Sequence, residues 1–117
     1  MQIEEIRYDD ARPIDGYGPG FFRVGGEVLR GAVIVTATEA RVWQGLEDTA
    51  ALTALAERVD VILFGSGAVM TGAPVGLTRV IEAAGMGVEL MASPVACRSY
   101  NILLAEGRRV ALAALPV

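Results

Sequence analysis

At 117 residues, with 53% hydrophobic and 21% charged side chains, the chain is the size of one ordinary domain and apolar enough to bury a core. Its formal charge is −4 and all ten basic residues are arginine, a balance that disfavours the phosphate backbone of nucleic acid as a partner. Histidine is absent and Cys97 is the single cysteine, which excludes Ser-His and Cys-His nucleophile pairs, an intramolecular disulfide and the usual zinc ligand sets.

Met1 to Glu5 carries acidic residues where a signal or transit peptide needs cationic and apolar ones. No apolar run approaches the ~18–20 residues of a transmembrane helix. A soluble, cytoplasmic protein is expected, with no catalytic residue, metal or cofactor assigned.

Residues 3–8 are β-prone and read as a short edge strand. Residues 9–19 read as turn, because the run from Ile14 to Gly20 holds too many glycines for a helix. Phe21 to Val24 and Val28 to Val35 then read as two strands around Gly25-Gly26, the signature of an N-terminal β-hairpin. Arg41 to Trp43 is a short strand or loop element, with Trp43 as an anchor over a core edge.

Asp48 or Thr49 caps a helix expected to run to about Val59, with Leu52, Leu55, Ala56 and Val59 as its apolar stripe. Val61 to Phe64 follows, an unbroken apolar run bounded by Gly65 and Gly67. It is too short for a helix and reads as a central strand buried on both faces. Pro74 suits the first turn of a second helix, whose apolar face is Leu77, Val80, Ile81 and Ala84 and whose end is Gly85. Val88 to Met91 is the next strand, so strand, helix and strand form a βαβ unit with parallel strands. Ser93 and Pro94 fit the cap and first turn of a third helix closing near Glu106-Gly107, and Val110 to Leu115 is the last strand. One α/β domain over residues 1–117 accounts for the whole pattern.

In such a fold the Gly65-Ser66-Gly67 turn and the Ser93–Arg98 segment both leave carboxyl ends of parallel strands, where ligand crevices form. Helix backbone N–H groups beside Arg98 make a candidate anion site there, lined by Gly65, Ser66, Gly67, Ser93, Cys97, Arg98 and Asn101. Each piece also has a structural reading. The glycines suit a tight turn, and their spacing matches neither a dinucleotide fingerprint nor a P-loop. Cys97 lies where a thiol pKa is lowered, yet lone cysteines are most often buried small hydrophobes. The Asn101 amide suits backbone groups of a neighbouring strand or loop. The glycine loop with Tyr17, Phe21 and Phe22 reads either as a partner-facing aromatic surface or, for the two Phe residues, as core.

The order Gly16-Tyr17-Gly18 before a Phe-rich strand, Phe64-Gly65-Ser66-Gly67, and Ala96-Cys97-Arg98-Ser99-Tyr100-Asn101 running on to Glu106-Gly107-Arg108-Arg109-Val110 resembles domain-of-unknown-function family 498. The resemblance spans about Ile14 to Leu115, and its C-terminal block is the most specific part. Animal relatives in that family include a mitochondrial respiratory complex I assembly factor and an adipogenesis-associated protein. The resemblance implies a three-layer α/β domain with a central mixed sheet flanked by helices. It also implies an accessory or assembly-type protein that acts through contacts with a protein partner, with no catalytic residues to carry over. Small-molecule or anion binding in the cleft is the alternative. Neither the partner's identity nor the oligomeric state follows from the residues.

Overall fold

The computed structural model describes residues 5–7 and 11–117. The chain order is β1 (Glu5–Arg7), β2 (Ile14–Gly18), β3 (Phe21–Val24), β4 (Glu27–Arg30), β5 (Ala32–Val35), β6 (Glu39–Trp43), α1 (Ala50–Thr53), β7 (Val61–Gly65), α2 (Val75–Ala83), β8 (Gly87–Met91), α3 (Ser93–Ala105) and β9 (Val110–Ala114). A six-stranded mixed sheet has the order β1-β6-β5-β9-β7-β8, and β2-β3-β4 form a second, antiparallel sheet.

Alternation along the central strands explains the three layers. Val33, Val35, Leu63, Val110, Leu112 and Ala114 face one side, where Ala96, Cys97 and Tyr100 of α3 and Phe22, Val24 and Leu29 of the small sheet cover them. Ile34, Ile62, Phe64, Ala111 and Ala113 face the other, under Leu52, Leu55, Leu77 and Ile81. Both faces are covered, so these strands are apolar at every position. β7 runs parallel to β8 and to β9, while β9 runs antiparallel to β5. Trp43 closes the second core: its ring meets Phe64 edge-on at 6.4 Å and its Nε1–H donates to the Asp48 carbonyl at 2.9 Å.

One local expectation is met in part and two change. Of the edge strand expected over residues 3–8, Glu5–Arg7 is β1, pairing with β6, and the other three positions lie outside the described residues. Ile14 to Gly18, expected as turn, is β2, because backbone pairing with β3 and the burial of Ile14 outweigh the intrinsic turn preference of its glycines. Val28 to Val35, expected as one strand, breaks at Gly31, whose φ of +97° turns the chain from the small sheet into the large one.

α1 is also shorter than the helix expected to Val59. After Thr53 the chain tightens into turns, with Leu55 N–H donating to the Leu52 carbonyl and Arg58 N–H to that of Leu55. The stripe still points inward: Leu52, Leu55 and Val59 are buried. Asp48 serves as the capping acceptor, its Oδ1 taking the Ala51 N–H at 3.3 Å.

Candidate functional site

The expected site residues fall into two groups. Gly65, Ser66, Gly67 and Ser93 form a joint at the carboxyl ends of β7 and β8. A Cβ on Gly65 would stand 2.8 Å from the Ser93 Cα, so glycine is what lets strand β7 touch the first turn of α3. The fully buried Ser93 hydroxyl accepts the Gly67 N–H at 2.9 Å and donates to the Leu115 carbonyl at 2.7 Å. Ser93 N–H donates to the Gly67 carbonyl at 2.8 Å, and Leu115 N–H to that of Gly65 at 2.9 Å. The Ser66 hydroxyl donates to the Val69 carbonyl and accepts the Thr71 N–H, ordering the loop that follows. Polar groups here are engaged within the chain, and the start of α3 is tied to the strand ends.

Cys97, Arg98 and Asn101 lie farther along α3 and line a cavity of about 470 Å³ against β2, with Asp15, Tyr17 and Ile102 among its other walls. Asn101 makes a two-way bond to one residue: its Oδ1 accepts the Ile14 N–H at 2.7 Å and its Nδ2 donates to the Ile14 carbonyl at 3.0 Å. The β2–β3 register shifts between Ile14 and Gly16, and the amide supplies strand-like pairing at that irregularity. This is the backbone-binding role that its residue type suggests.

Burial pushes the Cys97 thiol up to about 11. Desolvation opposes the charged thiolate and outweighs the helix start and the neighbouring Arg98, both of which favour it. Arg98 is exposed, and its guanidinium forms no ion pair among the described residues. Asp15, an acid on the opposite wall, turns its Oδ2 to the Gly26 N–H at 2.7 Å. Tyr17 and Ile102 also line the cavity, and their meeting depends on β2 packing against α3, which no local pattern in either segment encodes.

Residues 14–115, which contain both groups, match the family described as protein of unknown function (DUF498/DUF598). The chain belongs to that family. An uncharacterised protein of Rhodobacter capsulatus is 49% identical over 117 residues, covering 100% of this chain and 94% of that one. Among solved structures, an outer membrane protein from Bartonella henselae superposes with a TM-score of 0.82 at 28% identity, covering 92% of this chain and 97% of that one. A Mth938-like domain from Bordetella pertussis gives a TM-score of 0.73 at 25% identity, covering 95% and 91%. The family resemblance in the C-terminal block therefore extends to the whole fold, and no specific activity comes with it.

Proposed function

We propose that this DUF498/DUF598 protein is a non-enzymatic accessory protein that acts by holding another protein, with the outer face of α3 as its contact surface. One observation carries the reading: Val95 is 41% exposed and Ile102 54% exposed. They are seven residues apart and so share one helix face. The opposite face of α3 packs into the core through Ala96, Cys97 and Tyr100. Two apolar side chains left to water on either side of the exposed Arg98 give that face the mixed apolar and guanidinium character found in protein contact surfaces.

Ile102 is also a ridge between two depressions. On one side lies the cavity with Tyr17 and Arg98; on the other, a hollow of about 270 Å³ reaches Glu89 and Met91. Tyrosine, arginine and methionine around an apolar ridge are the residue types enriched in protein interfaces. A photo-crosslinking residue at position 102 should give a discrete protein adduct in cells that Val95→Glu abolishes. If position 102 gives the same adducts as the exposed position 44 after β6, the reading fails.

Among the described residues no helix is long and apolar enough to cross a membrane. The reading places the protein in the cytoplasm, and recovery with washed outer membranes on cell fractionation would move it. A second reading, binding of a small anion, rests on the Arg98 guanidinium, unpaired among the described residues, beside a cavity. It requires that an anion raise the melting temperature of the parent protein and not of Arg98→Ala.

A further inference from the structure

At the pole where the parallel strands begin, far from the β7–α3 joint in strand order, a cavity of about 480 Å³ opens between the end of α3, the β5–β6 turn and the segment before β7. Three of the chain's ten arginines, Arg58, Arg108 and Arg109, line it. Two are held in place by the chain. Arg58 Nη2 lies 3.1 Å from Oε1 of Glu39, a carboxylate that is itself 6% exposed. Arg109 Nη2 donates to the Glu57 carbonyl at 2.9 Å, and its Nε lies 3.6 Å from Asp60. The Arg108 guanidinium has no ion pair or hydrogen bond among the described residues.

The rest of the lining is mainly apolar, with Val59 and Val110 buried and Leu104 beside them. A volume in this range, apolar walls and a few fixed polar groups are the common properties of small-molecule sites. Glu57 also lines the cavity. Glu39 and Asp60 already offset Arg58 and Arg109, so among the described residues Arg108 is the cation of the three without an ionic partner, and with Glu57 nearby the site suits one negative charge and works against a polyanion.

We propose that this cavity binds a small organic acid. Its carboxylate meets Arg108 and the free N–H groups of Arg58 or Arg109, and its hydrocarbon body lies on Ala37 and Leu104, above the buried Val59 and Val110. Guanidinium forks match a carboxylate in two-point fashion, and pre-positioned donors lose little freedom on binding. The site is separate from the outer face of α3, so its failure and that of the docking reading are distinguishable.

Octanoate titrated into the full chain, followed by calorimetry and by backbone amide shifts, is the test. The expected result is saturable binding that shifts the Val59, Leu104 and Val110 amides, weakens with added salt, and falls about tenfold or more in Arg108→Ala. Arg108 is exposed and supports no packing, so that variant keeps the parent fold, which its unshifted remaining amides report. Octanol binding as tightly as octanoate removes the arginines from the argument and overturns it. Inorganic phosphate competing at equal concentration removes the apolar floor and overturns it too. Equal octanoate affinity in Arg108→Ala, or no binding at all, has the same consequence.

Discussion

Cys97 shows how a single residue's chemistry is decided by what covers it. With a pKa near 11, roughly a thousandth of the thiol is ionised at pH 8, against about a tenth for a thiol at the ordinary value of 9.0. Iodoacetamide should therefore modify the folded protein at pH 8 on the order of a hundredfold more slowly than the urea-unfolded chain. The folded rate should climb with pH until about 11. The same shift has a stability consequence. The folded pKa is raised above the ordinary value of 9.0, so its contribution is fully present below pH 9 and is lost as pH rises through 11. Denaturant midpoints of Cys97→Ala should fall less than those of the parent across that alkaline window. Asn101 is the second case: both halves of its amide hold Ile14. Asn101→Ala should cost about 1–3 kcal/mol, because a partly buried N–H and C=O lose their partner together. Asn101→Asp should not rescue it, since a carboxylate cannot donate to the Ile14 carbonyl. Chemical denaturation of the two variants measures both.

Between elements, the joint of β7 and α3 rests on a missing Cβ and one hydroxyl. Gly65→Ala would drive its methyl against backbone, 2.8 Å from the Ser93 Cα, and should destabilise by about 1–3 kcal/mol or more. Adding Ser93→Gly removes the hydroxyl oxygen that the methyl would meet at 2.6 Å and leaves the backbone of residue 93 where it was. The double variant should therefore not recover parent stability. Recovery in a melting experiment would show that the hydroxyl, and not the backbone approach, demands glycine. The elements themselves were legible where the local pattern was long and clear: the apolar run of β7, the βαβ unit, Gly85 after α2 and the Pro94 start of α3. They were not legible where pairing partners decide. β2 is a strand because β3 and Asn101 hold it, and β4 separates from β5 because Gly31 adopts φ +97°. α1 ends early because Leu55 and Val59 reach the core as well from tight turns as from a regular helix.

Across the whole molecule, protection should follow sheet position. β7 and β9 are bonded on both sides and covered on both faces, so their amides should exchange slowest. The loop after Gly67, with Val69 64% and Met70 65% exposed, should exchange first by mass spectrometry. Equal protection in the two regions would contradict that packing. Composition bears on this scale without coordinates: an acidic, lysine-free and histidine-free chain offers few cations to a phosphate backbone and no imidazole for Ser-His or Cys-His pairs. Periodicity likewise determined the α/β class, because a strand buried on both faces must be apolar throughout. What only the tertiary structure decided is adjacency. β9, last in the chain, inserts between β5 and β7. β2 brings Asp15 and Tyr17 to Arg98, and the end of α3 brings Arg108 to Arg58. Gly65 and Cys97, expected as facing walls, instead belong to a packed joint and a separate cavity. The physical reason is that local sequence governs backbone torsions and which face is apolar. Which distant surfaces meet is governed by the cheapest burial of all those faces at once.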